Sequence, residues 1–249
     1  MLQLILGLLA GLVPSLALYF WLRGHARQES ACEKNFGKAL VAGLRATIPI
    51  VATSGALDLL MRFSGLRAAQ PLFYAAIHAF VVLALVEELM KYLACRRFLR
   101  KTQHPYSWLD LTVMMTIIGV GFGMSESIAC LMGSSPVVML IRGIVIPHGG
   151  YGAIVGWFYG RSVKTGRRGD RVLGFGIAWA LHGLYDFSLS EEFAALNEDM
   201  AAVIALILTA LNLALIAALI VFVVKARKNE KYTQPLFETE NREKISEEA

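Results

Sequence analysis

The chain has 249 residues and a mass of 27.3 kDa, is 56% hydrophobic and 17% charged, and has a mean hydropathy of +0.56. That composition excludes a soluble domain of this size and makes the bilayer its solvent. The net charge of +5 sits in short segments between apolar runs with no nucleic-acid motif beside it, so its expected counterpart is anionic lipid.

Apolar runs of roughly 20 residues, the length that crosses a bilayer as a helix, lie at 2–22, 39–61, 71–95, 109–133, 136–160, 172–188 and 200–224. They predict an all-α polytopic membrane protein of about seven transmembrane helices. The first run has no basic n-region and exceeds a usual signal h-region, so it reads as a retained anchor.

Lys and Arg are retained on the cytoplasmic side of a membrane. Arg23, Arg27 and Lys34 follow the first run, Arg96, Arg97, Arg100 and Lys101 the third, Arg161, Lys164, Arg167, Arg168 and Arg171 the fifth, and Lys225, Arg227, Lys228 and Lys231 the seventh. The second run is followed only by Arg62 and Arg67, and the sixth by acidic Glu191, Glu192, Glu198 and Asp199. The alternation predicts an N-terminus outside and a C-terminus in the cytoplasm. Residues 1–224 read as one membrane-embedded domain and 225–249 as a charged, disordered tail. Cys32, Cys95 and Cys130 are not spaced for a disulfide framework.

Four successive runs carry ionisable groups, each costing about 2.5–3.5 kcal/mol at the centre of a spanning helix unless it faces a protein interior or water. The third holds Glu87, Glu88 and Lys91, the fourth Glu126, the fifth Arg142 and His148, and the sixth His182 and Asp186. Lys91 is one helical turn from both carboxylates, and His182 is one turn from Asp186. Adjacent helix positions point about 100° apart, so Glu87 and Glu88 cannot serve one small target equally. One is expected to pair with Lys91 and the other to do chemistry. His78, alone in its surroundings, reads as an interhelical hydrogen-bonder, and Arg45 and Asp58 as structural. The glycines of GVGFG (119–123) and the ladder Gly152, Gly156, Gly160 read as close helix packing rather than a nucleotide loop.

The ordered set Glu87-Glu88-x-x-Lys91, Phe122-x-x-x-Glu126, His148 and His182-x-x-x-Asp186 resembles the PrsW family of membrane-embedded glutamate-dependent proteases over about residues 71–188. It is more distantly similar to the CAAX-prenyl proteases. Those enzymes carry a longer Glu-Glu-x-x-x-Arg motif, a His where this chain has Glu126, and usually Asn where it has Asp186. The resemblance implies an endopeptidase of a bacterial plasma membrane that cuts membrane-tethered proteins, anti-sigma factors being the substrate type.

Amide hydrolysis needs a base for water, a donor for the oxyanion and an acid for the leaving amine. On that scheme Glu87 is the base, Glu126 and His148 orient the water, and His182, held by Asp186, stabilises the oxyanion or protonates the amine. Glu88 and Lys91 form a supporting pair, and Arg142 compensates Glu126. The mechanistic rival is zinc bound by Glu126, His148 and His182 with Glu87 as base. Two other classes use the same buried groups: a proton or ion path, and a catalytically idle scaffold.

Overall fold

The computed structural model describes residues 2–25, 30–102, 106–130 and 147–236. Apart from an isolated bridge between Ser107 and Pro235, the regular structure among them is helical: α1 (Leu2–His25), α2 (Ser30–Phe63), the single turn α3 (Leu66–Ala69), α4 (Pro71–Ile77), a π-helical stretch (His78–Leu85), α5 (Val86–Thr102), α6 (Trp108–Cys130), α7 (Pro147–Thr165), α8 (Arg168–Ser188), the short α9 (Glu191–Ala194), α10 (Glu198–Ala226) and α11 (Glu230–Thr233).

Among the described residues, four stretches are long and apolar enough to cross a membrane: Asn35–Phe63, Pro71–Thr102, Trp108–Ile128 and Glu198–Ala226. The helices of the first, fifth and sixth apolar runs, α1, α7 and α8, fall outside that set. The ends of α7 and α8 carry Arg161, Lys164, Arg168, Asp170 and Arg171, and histidines and glycines dilute the rest. The expected run 136–160 starts before the described helix. Residues 136–146 of that run lie outside the described residues, and His148 is the second described residue of α7.

Helix α6 is the central post. Two thirds of its apolar window is buried (67%), against 17% for α10 at the periphery. Leu111, Val113, Met114, Ile117, Ile118 and Val120 are all but inaccessible. Helices α1, α2 and α7 pack around α6, α8 covers α7, and the π-helical stretch lies between α8 and α2.

The glycines explain how α6 is approached so closely. A methyl group at Gly119 would strike the His148 carbonyl, one at Gly152 the Met115 carbonyl, and one at Gly43 of α2 the Ile118 carbonyl. The glycines of 119–123 and of the α7 ladder are thus packing residues. At Gly160 the intruding atoms would be the Trp108 indole, whose Nε1–H donates to the Trp157 carbonyl at 2.8 Å.

Turn chemistry sets the connections. Gly166 at φ 70° takes the left-handed conformation that lets α8 fold back on α7. Asn197 caps α10 by accepting the Met200 N–H at 2.9 Å. Arg67 bridges Glu191 (3.0 Å) and Glu192 (2.6 Å), tying the start of the α3–α4 corner to α9. His78 has company that its sequence surroundings do not show: its Nε2 is 3.3 Å from Asp58 on α2, which also pairs with Arg62 at 2.8 Å.

Residues 230–236 fold back against the bundle. Tyr232 packs edge-on to Trp108 (centroids 5.1 Å apart), Lys164 donates to the Lys231 carbonyl, and the Leu236 N–H to that of Tyr106. Residues 237–249 lie outside the described residues.

Candidate active site

The polar groups of α5, α6, α7 and α8 converge in one buried cluster. Glu87 and Glu88 open α5 immediately after the π-helical stretch. Lys91 Nζ donates to Glu88 Oε1 at 2.5 Å and to His148 Nδ1 at 3.0 Å, and lies 4.7 Å above the Phe122 ring. Its distance to Glu87 Oε2 is 3.9 Å. The two carboxylates therefore part as adjacent helix positions must: Glu88 takes Lys91, while Glu87 Oε2 is buried without a hydrogen-bond partner.

His148 and His182 are both buried and stand edge to face with ring centroids 5.1 Å apart. His148 gives Nε2–H to Glu126 at 2.6 Å, and Phe122, one turn before Glu126, holds the other side of the ring edge-on at 4.9 Å. His182 gives Nδ1–H to Glu88 Oε1 at 2.9 Å. Each ring thereby turns its second nitrogen towards Glu87 Oε2: His148 Nδ1 at 4.0 Å and His182 Nε2 at 3.6 Å. Asp186 Oδ2 is 3.3 Å from the same His182 nitrogen.

Glu87, His148, His182, Glu126, Glu88, Lys91 and Asp186 thus form one connected cluster. Arg142 lies outside the described residues. Glu126, with 26% of its side chain accessible, and Asp186, with 18%, form the open side, whereas Glu88 and both histidines are almost sealed.

The group of ligand atoms that the geometry gathers differs by one residue from the expected set of Glu126, His148 and His182. Glu126 occupies the far nitrogen of His148, so the ligand atoms that gather are those of Glu87, His148 and His182, all within 4.8 Å of one another. Ligands about 2.1 Å from a tetrahedral zinc lie roughly 3.4 Å apart, so the 3.6 and 4.0 Å separations from Glu87 need to close by a few tenths, and the whole group, which lies within 4.8 Å, has to contract around the ion. Metal-bound histidines donate their other N–H to a carboxylate or carbonyl, which is what Glu126 and Glu88 receive here. The donor set, its supporting carboxylates and the unpartnered Glu87 oxygen fit a divalent cation. Lys91 would have to withdraw from His148 Nδ1 onto Glu88.

Tyr151 belongs to this site too, although its chemistry alone does not mark it out. It is fully buried and stacks on His182 (5.1 Å, 24° between planes). Its place three residues after His148, on the same face of α7, is the one signal in the sequence.

A family model described as PrsW family intramembrane metalloprotease matches residues 34–224. No curated protein and no solved structure matches the chain. The matched region takes in α2 almost entirely, all of the cluster and α10 to within two residues of its end. On that match the chain is a member of the PrsW family, a family of membrane peptidases.

Proposed function

We propose that the protein is an endopeptidase that hydrolyses peptide bonds of membrane-tethered proteins in a bacterial plasma membrane, with 1–224 as one protease domain. Seven crossings, an outer N-terminus and a cytoplasmic C-terminus are supported by the alternating Lys and Arg content of the connecting segments. Anti-sigma-factor-type substrates are the class to which the resemblance to PrsW proteases points.

One observation carries the reading: two buried histidines each give one N–H to a carboxylate and aim the other nitrogen at an unpartnered Glu87 oxygen. That arrangement is suited to holding a divalent metal, which when bound would polarise water or the scissile carbonyl. Glu126 and Glu88 fix the histidine tautomers, and Lys91 supplies Glu88 with its counter-charge. Asp186 is then the carboxylate left to take the proton of the attacking water and pass it to the leaving amine. Without a metal the same geometry keeps Glu87 as the base: its free oxygen receives the proton, and His182, between Glu88 and Asp186, donates to the amine.

The test is cleavage of a single-span substrate co-reconstituted with the purified protein, with metal content measured on the same sample. Wild type is expected to cleave, and Glu87→Gln to lose about 10²–10⁴ in rate. Loss on chelation with recovery on added zinc selects the metal-assisted form. Full activity in chelator with no bound metal selects the glutamate-only form. Wild-type protein that cleaves nothing, yet conducts protons across liposomes in a Glu87-dependent way, would overturn the assignment in favour of an ion path.

A further inference from the structure

We infer that the π-helical stretch His78–Leu85 sets the rotation of Glu87 and Glu88, and that Trp179 and Ser54 are positioning residues that hold it. The inference rests on the reading of those carboxylates as active-site groups. Extended π-helix is rare and tends to be kept at functional sites, because its wider turn loosens packing. Eight residues of it stand directly before Val86 and the two glutamates.

Two flanking helices send side-chain donors to the backbone of this stretch. Trp179 Nε1–H, from α8, donates to the Phe80 carbonyl at 2.7 Å. Ser54 Oγ–H, from α2, donates to the Val82 carbonyl at 2.8 Å. The Asp58–His78 pair at 3.3 Å ties the first residue of the stretch to α2 as well.

The α8 contact also fixes distance. Trp179, His182 and Gly183 recur at spacings of three and four, so they share one face of α8. The Trp179 ring meets Phe80 edge-on (6.0 Å, 80°), and Gly183 lies so close to the Phe80 ring that a methyl group there would collide with it. Between those two contacts His182 reaches Glu88 at 2.9 Å. A helix residue advances about 100°, so a stretch that relaxed to α-helical register would swing Glu88 away from both Lys91 and His182. The hydrogen bonds of Trp179 and Ser54 go to backbone carbonyls of the stretch and not to the cluster; they act through the backbone.

The experiment compares Trp179→Phe, Ser54→Ala and Ser54→Thr with wild type in the reconstituted protein, using two readouts. One is kcat and KM on the single-span substrate. The other is the rate at which dicyclohexylcarbodiimide modifies Glu87 and Glu88, followed by mass spectrometry and independent of cleavage. Trp179→Phe and Ser54→Ala are expected to lower kcat by about 10- to 100-fold, as small misplacements do, with little change in KM. Modification of Glu88 should speed up in both as it leaves Lys91 and His182, and Ser54→Thr, which keeps the hydroxyl, should restore wild-type values. Unchanged kcat, or unchanged Glu88 modification in the two disrupting variants, overturns the proposal. Should Trp179→Phe fail to accumulate, Ser54→Ala against Ser54→Thr decides. If wild type cleaves no substrate, the protease reading fails, while the modification rates still decide whether the stretch positions Glu88.

Discussion

Glu126 Oε2 lies 2.6 Å from His148 Nε2, and this contact decides which way the ring faces. Because Nε2–H is given to Glu126, Nδ1 is the nitrogen that looks inwards to Glu87 and Lys91. Glu126→Gln keeps the shape but removes the charge that fixes this orientation. It is expected to weaken zinc binding by about 10- to 100-fold, measured by competition with a chromogenic chelator, while the yield of folded protein stays near wild type. Unchanged affinity would assign Glu126 to substrate contact instead.

Lys91 is the one ammonium in the cluster, and its removal strands Glu88. An uncompensated buried charge costs about 3–5 kcal/mol, so Lys91→Met should sharply lower the amount of folded protein and its Tm. The double variant Lys91→Met with Glu88→Gln should regain part of the loss, because the carboxylate no longer needs a partner. Thermal unfolding of the detergent-solubilised variants checks both. Normal abundance of Lys91→Met with no cleavage would make Lys91 a participant in catalysis.

The α6–α7 contact gives a prediction of size rather than charge. Gly119→Ala places a methyl group into the His148 carbonyl and is expected to cost about 1–3 kcal/mol and to push Glu126 away from His148, reducing activity together with stability. Gly176→Ala in the interior of α8, where a methyl group meets nothing within 4 Å, should raise stability by about 0.5–1 kcal/mol through helix propensity. Equal effects of the two would mean that α6 and α7 are not packed backbone to backbone.

Orientation can be read independently of activity. A reporter fused after Lys228 is expected on the cytoplasmic side, and one inserted near Glu192 on the outer side. Both on one side would remove the seven-span arrangement. The inserted reporter should be judged beside Arg67→Ala, since Arg67 holds Glu191 and Glu192.

The helices and the set of buried ionisable groups were legible because both are one-dimensional signals: apolar runs mark helices, and charges inside such runs must find one another. Spacing required that one of Glu87 and Glu88 pair with Lys91 but left open which; the structure gives that place to Glu88. What could not be read is direction. Nothing in the order of residues says that Glu126 takes Nε2 of His148 and leaves Nδ1 facing Glu87, so the sequence grouped Glu126 with the two histidines where the structure gathers Glu87 with them. The π-helical stretch has no sequence signature, being a run of apolar residues whose hydrogen bonds shift by one, and Ser54 and Trp179 become meaningful only once their carbonyl partners are known.

The glycine contacts between α6 and α7 have a consequence for traffic. Where backbone lies against backbone, from Leu111 opposite Gly156 to Gly119 opposite His148, there is no room for a foreign helix to wedge between them. These two helices are the jamb of the entrance and cannot be its door. On the proposed function, a substrate chain bound for Glu87 arrives along another edge of the bundle, and Glu126 and Asp186, the most accessible of the seven clustered residues, mark the side that receives it.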